Sequence, residues 1–145
     1  MNIAATRRDL LQQLDCLICN QLESSIFFSD DYQDKTPDEL LPLLEKHINA
    51  GVIPSMIITM GAQGAIYCDN QGNKGYCPAK KVNVIDTTGA GDSFCAGVVS
   101  GLTYGCTYEE AIQIGARLAA SVITSTDNVC PRFKPRELGL KYPLE

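Results

Sequence analysis

Short apolar runs alternate along this chain with longer segments whose apolar residues recur every three or four positions. The first pattern reads as strand, the second as amphipathic helix. Thr6-Arg7-Arg8-Asp9 has the form of an acid-bearing helix start, and Leu10, Leu11 and Leu14 give a short apolar face, so a helix is predicted over 6–14. Cys16-Leu17-Ile18-Cys19 reads as a buried strand, placed at 15–19. Residues 20–34 carry Asn20-x-x-Glu23, whose plainer reading is a helix start, then apolar Ile26-Phe27-Phe28 and Ser29-Asp30-Asp31, and no bounded element is assigned to them. Thr36 is the next helix cap, with Pro37 at the favoured first position and Asp38 and Glu39 behind it. That helix is predicted to run to about Ala50 and stop at Gly51, with Pro42 as a place to bend.

A strand is expected at 55–60, and two more, Ala65 to Asp69 and Gly75 to Pro78, around the turn Asn70-Gln71-Gly72-Asn73. Another strand is expected near 82–85. A helix from Gly91 to about Tyr104 follows, ended by Gly105. Thr107-Tyr108-Glu109-Glu110 is a capping box. The helix it opens carries Ala111, Ile112, Ile114, Leu118, Val122 and Ile123, and is expected to lie buried against the sheet. The tail, 124–145, reads as loop held by Pro131, Pro135 and Pro143. Strands alternating with helices imply an α/β fold with parallel pairs and one antiparallel hairpin.

Composition narrows the function classes. The chain has 145 residues, enough for one domain, and a formal charge of −5, with no lysine–arginine cluster that would suit nucleic acid. Arg7-Arg8 and Lys80-Lys81 read as solvated faces. No run approaches the length of a membrane span, and Met1 opens no charged-then-apolar leader, so a cytoplasmic protein is expected. There are seven cysteines, an odd number. Cys16-x-x-Cys19 fails as a redox or zinc pair if the run is a strand, because positions three apart face opposite sides. Cys68 and Cys77 flank a turn and could lie opposite each other as a reduced pair, while Cys95 and Cys106 read as small core residues. His47, the only histidine, lies inside a helix, which argues against histidine catalysis.

The candidate chemistry gathers at Asp86-Thr87-Thr88-Gly89-Ala90-Gly91-Asp92-Ser93-Phe94. A β-rich segment, Lys81 to Ile85, enters it and a helix leaves it. Small residues at the junction expose backbone N–H groups at the positive end of a helix, which is an anion site, most often for phosphate. Asp92 beside such a site is electrostatically awkward unless it acts as a base on a hydroxyl attacking the phosphate. The plainer alternative is a strand-to-helix turn with a capping Asp and strain-relieving glycines.

This stretch resembles the C-terminal signature of the ribokinase-like, or PfkB, family of carbohydrate and nucleoside kinases. The resemblance implies an anion hole at Gly89, Ala90 and Gly91 and a catalytic base at Asp92. Asn20-x-x-Glu23 after its strand is similar to the family's second motif. That implies Asn20 near the nucleotide phosphates and Glu23 near magnesium through water. Met56-Ile57-Ile58-Thr59-Met60-Gly61, followed by Gly64, resembles the family's Thr-x-Gly contact, which implies nucleotide binding by Thr59 and Gly61. Asp86 and Thr88 match the first part of the family's monovalent-cation loop. Residues 125–130 do not align with its second part, so potassium stays open beside ATP and Mg2+. The implied fold is α/β, a three-layer ribokinase-like sheet flanked by helices, with one antiparallel hairpin and the C-terminal half only.

Two departures matter. The family's N-terminal half, with the first strands, the lid and a paired-glycine sugar motif, has no counterpart in residues 1–145. The chain is therefore expected to be a partial kinase domain that exposes a sheet edge, self-associates and is inactive alone. Many members also place a nucleotide-contacting Asn near Ala116 or Arg117, and neither is Asn here. The implied function is ATP-dependent phosphoryl transfer to a sugar or nucleoside alcohol, with no membrane or nucleic-acid partner. The alternative is a non-catalytic nucleotide-binding or interaction module. A dinucleotide oxidoreductase lacks its third glycine, and a P-loop enzyme lacks the Gly-Lys-Ser/Thr that should follow the glycines.

Overall fold

The computed structural model describes residues 7–81, 83, 85, 87–124 and 133–140. The chain divides into two compact units, Met1–Ala79 and Lys80–Glu145. In the first unit, α1 (Arg8–Leu11) precedes β1 (Leu17–Asn20), α2 (Gln21–Phe28) and α3 (Pro37–Asn49). Then follow β2 (Ser55–Thr59), a 3-10 turn (Gly61–Gln63), β3 (Ala65–Asp69) and β4 (Lys74–Cys77). The four strands lie in chain order. β1 and β2 are parallel, with Asn20 paired to Thr59. β2–β3 and β3–β4 are both antiparallel, so the expected hairpin is β3–β4 and a second antiparallel pairing stands beside it.

α3 forms where its sequence dictates. The Thr36 hydroxyl accepts the Glu39 amide while the Glu39 carboxylate accepts the Thr36 amide, and Gly51 leaves the helix at φ +72°. Leu40, Leu44 and Ile48 recur every fourth residue and are buried, and they share one core with Met56, Ile58 and Ile66 of the sheet. The hairpin turn is held by Asp69, whose carboxylate accepts the amides of Gln71 and Asn73 and the Asn73 side chain.

Several expectations are corrected. The helix placed at 6–14 is one turn, α1, because only Leu11 of its apolar residues finds the core, while Leu10 and Leu14 stay exposed. The cap residue expected there, Thr6, lies outside the described residues. Residues 21–28 form a full helix, of which the sequence marks only the start at Asn20 and Glu23. Cys68 pairs with Lys74 and Cys77 with Ala65, so the two cysteines lie three strand positions apart and cannot face each other.

In the second unit α4 (Ala90–Thr103) and α5 (Tyr108–Ile123) form a helical pair, followed by a 3-10 turn at Pro135–Leu138. The helix expected against the sheet has α4 as its described packing partner. Glycines bring the two backbones together: a Cβ on Gly101 would lie 2.8 Å from the Ala111 Cα. Arg117 on α5 donates to the Glu137 carbonyl at 2.6 Å and lies over the Phe133 ring. The strand expected near 82–85 falls partly outside the described residues, as does Asp86, and most of the expected tail loop does too. Ile85 donates its amide to the Ile123 carbonyl at the end of α5. Among the described residues no helix is long and apolar enough to cross a membrane.

Candidate active site

In the second unit the candidate chemistry lies at the start of α4. Gly89 caps the helix in the left-handed region, φ +81°, which only glycine adopts at little cost. The Ala90 amide reaches the Thr87 carbonyl at 3.2 Å and the Ser93 amide the Gly89 carbonyl at 3.1 Å. The amides of Gly91 and Asp92 have no acceptor among the described residues. A Cβ built on Gly91 would meet nothing within 4 Å, and its φ is not positive. The fold therefore gives no reason for glycine there, whereas a group that must approach the backbone closely does. Two unspent amides, an open approach and the positive end of a helix fit a phosphate. Asp92 is exposed in the first turn of α4, where a carboxylate also favours the helix dipole. Thr88 is exposed in the turn before it.

In the first unit a second set gathers at the carboxyl ends of two parallel strands. Asn20 ends β1 and caps α2: its Oδ1 accepts the Glu23 amide at 2.8 Å, and its own amide donates to Glu23 Oε2 at 2.9 Å. The Asn-x-x-Glu motif is thus a capping box. This leaves Asn20 Nδ2 and Glu23 Oε1 without partners among the described residues. Thr59, paired with Asn20 in the sheet, turns its hydroxyl to the Cys19 carbonyl at 3.5 Å. Gly61 follows at φ +56°, with open space around it. Asn20, Glu23, Thr59 and Gly61 are therefore brought to one end of the β1–β2 pair, where open α/β sheets take their ligands.

Two residues support this end without having stood out in the sequence. Gln21 donates through Nε2 to the carbonyls of Tyr32 and Lys35, tying the following loop to the first turn of α2. Ser24, fully buried, donates to the Asn20 carbonyl at 2.7 Å and lies 3.1 Å from Cys19 Sγ. Both bonds join residues of ordinary polar type, and only the neighbouring Asn20 could have drawn attention to them.

Other chemistry finds little support. No cluster of three or more His, Cys, Asp or Glu among the described residues could hold a metal ion. Magnesium here would need a nucleotide's phosphates as its main ligands, with Glu23 Oε1 as the one free carboxylate oxygen of the motif. Burial pushes the Cys16 and Cys68 thiols up, which keeps them protonated and weak as nucleophiles. A cavity of about 450 Å3 opens at the far end of the helical pair from Asp92, between Tyr104, Gln113, Arg117 and Leu138, and contains none of the candidate residues.

Residues 3–130 match the pfkB family carbohydrate kinase profile. The guanosine-inosine kinase of Exiguobacterium acetylicum is 36% identical over 129 residues, 88% of this chain and 42% of that protein. Among solved structures, the ribokinase of Thermotoga maritima superposes with a TM-score of 0.64 at 25% identity, covering 84% of this chain and 40% of that one. The adenosine kinase of Sinorhizobium meliloti gives 0.67 at 24% identity over 88% of this chain and 37% of that one, a likeness of fold. The chain spans 42% of the length of that guanosine-inosine kinase and 36% of that of the Schizosaccharomyces pombe ribokinase, with which it is 27% identical. With a ribokinase-like α/β fold and a family match over most of its length, the chain belongs to the pfkB family of carbohydrate kinases.

Proposed function

We propose that residues 1–145 form the nucleotide-binding half of an ATP-dependent kinase that phosphorylates an alcohol group of a sugar or nucleoside. The observation that carries this reading is the start of α4: two unspent amides, at Gly91 and Asp92, with open space above Gly91 and an exposed carboxylate on Asp92. Gly89, Ala90 and Gly91 would take the transferring phosphate, and fixed backbone donors are worth most where charge develops. Asp92 would accept the proton of the attacking hydroxyl. Asn20 Nδ2, the Thr59 hydroxyl and the backbone at Gly61 would hold nucleotide. Glu23 would reach magnesium through water, and the metal would supply charge neutralisation on the phosphates. Asp86 and Thr88 are assigned to a monovalent cation, potassium, by the motif alone.

The named relatives act on both acceptor classes: a guanosine-inosine kinase and an adenosine kinase on one side, ribokinases on the other. The acceptor is accordingly left at sugar or nucleoside, and its site is assigned to the part of the family fold absent from these residues. A cytoplasmic setting suits an enzyme that uses ATP.

Calorimetry of the folded chain with ATP, with and without magnesium, tests the binding claim. Weak binding strengthened by magnesium is expected. No heat and no thermal shift at millimolar nucleotide would rule out the nucleotide-binding reading altogether.

A further inference from the structure

Building on the nucleotide reading above, we infer that Tyr76 is a positioning residue for the nucleotide contact at Gly61: its hydroxyl pins the turn Gly61–Gln63 to the neighbouring strand β4. The hydroxyl donates to the Gln63 carbonyl at 2.6 Å. Tyr76 pairs with Ile66 of β3, so the bond reaches back past Ala65 and Gly64 to the loop that leaves β2. That loop follows Thr59 and carries Gly61, the two residues of this segment proposed to hold nucleotide.

The turn has little else to fix its direction. Its backbone bonds are internal: the Met60 amide to the Gly64 carbonyl at 2.8 Å, Gln63 to Met60 at 3.1 Å and Gly64 to Gly61 at 3.1 Å. Bonds of this kind hold the shape of the turn and travel with it. Glycines at positive φ stand at both of its ends, Gly61 at +56° and Gly64 at +99°, where the backbone pivots at least cost. Gly64 is wedged against β4, since a Cβ there would run into the Cys77 carbonyl. Gly61 has open space around it. Among the described residues, the Tyr76 hydroxyl is the one polar group outside residues 60–64 that bonds to Gly61, Ala62 or Gln63. A ligand that meets a pivoting backbone must order it on binding, and that ordering weakens affinity. The Tyr76 bond does the ordering beforehand, through a hydroxyl that phenylalanine lacks.

Amide hydrogen exchange, and calorimetry with ATP and magnesium, on the 145-residue chain and its Tyr76→Phe variant test this. The variant keeps the ring and removes the hydroxyl. The Gln63 and Gly64 amides should exchange about twofold to tenfold faster, and ATP affinity should fall by a similar factor, the worth of one hydrogen bond. The Asp69 amide, bonded to the Asn73 carbonyl at the far end of β3, should exchange as in wild type. Lys74→Ala is the control. It lies two positions away on the same face of β4 and loses the ion pair with Glu45 at 2.8 Å, yet should leave the turn and ATP affinity unchanged. Unchanged exchange in Tyr76→Phe overturns the inference. Faster exchange with undiminished ATP affinity overturns it too, as does an equal loss of affinity in Lys74→Ala, which would make the effect one of strand stability. A folded wild type that binds no ATP removes the nucleotide reading and this role for Tyr76 with it. That failure is told apart from the others because it precedes any substitution.

Discussion

Gly97 of α4 faces Gly115 of α5 so closely that a Cβ on Gly97 would lie 2.6 Å from the Gly115 Cα. Backbone meets backbone at this crossing, so nothing can give way by rotating a side chain. Gly97→Ala gains about 1 kcal/mol of helix propensity. It loses about 1–3 kcal/mol to overpacking, at the upper end where the neighbour is backbone. The expected outcome is net destabilisation, read as a lower melting temperature and lower denaturant midpoint. A neutral or stabilised variant would show that the helices separate easily.

Gly91 gives the opposite forecast. Its φ is ordinary and no atom waits for a Cβ. Gly91→Ala should leave stability unchanged or raise it, by up to about 1 kcal/mol. ATP affinity should fall, because the methyl occupies the approach to the free amides. Equal affinity in a folded variant would remove Gly91 from the phosphate site.

Asn20 separates structure from binding by two substitutions. Asn20→Ala loses the cap on α2 and should cost about 1 kcal/mol. Asn20→Asp keeps an oxygen for the Glu23 amide, and Asp caps as well as Asn. Its stability should match wild type while nucleotide binding weakens, since the Nδ2 donor becomes a negative oxygen. Calorimetry and thermal melts on the same samples compare the two effects.

Asp92→Asn bears on the proposed base. In a chain carrying this segment together with the remainder of the family fold, turnover should fall by roughly 10²–10⁴ while nucleotide affinity holds. Retention of most activity would leave Asp92 as a helix-start residue only.

Acid should loosen the start of α3. The Thr36 backbone amide, and then its hydroxyl, hydrogen-bond the Glu39 carboxylate and hold its pKa below the ordinary value. A depressed carboxyl stabilises the fold at pH values above its unfolded pKa, about 4.3. That contribution disappears as pH falls through the lower folded value. Glu39→Gln keeps the acceptor but does not titrate. Wild type should melt above the variant at pH 6, and the gap should close toward pH 3.

Local signals made part of this structure readable. Thr36, Pro37, Glu39 and Gly51 mark both ends of α3, and the hairpin turn follows from Gln71-Gly72-Asn73. The start of α4 was readable because glycines and an acid in a row are a local pattern. The start of α2 was legible in Asn20 and Glu23, which serve as cap and as candidate ligands at once, but no local signal marked its extent. The packing of α5 on α4 was hidden for a different reason. Gly97, Gly101 and Gly115 make the contact, yet glycine adds nothing to an apolar pattern. Gln21 and Ser24 hold the Asn20 end through bonds set by the fold of residues 20–35, which spacing alone does not reveal.

The bond from the Ile85 amide to the Ile123 carbonyl ties one side of the proposed phosphate loop to the end of α5. Ala90, on its other side, begins a helix locked to that same α5 through Gly97 and Gly101. Ile85 and Ala90 are thus both tied to α5. At the proposed phosphate site, part of the conformational entropy that capture would otherwise remove has already been lost on folding. An anion meeting the Gly91 and Asp92 amides therefore finds donors already aimed, and its capture should be accompanied by little further ordering of the chain.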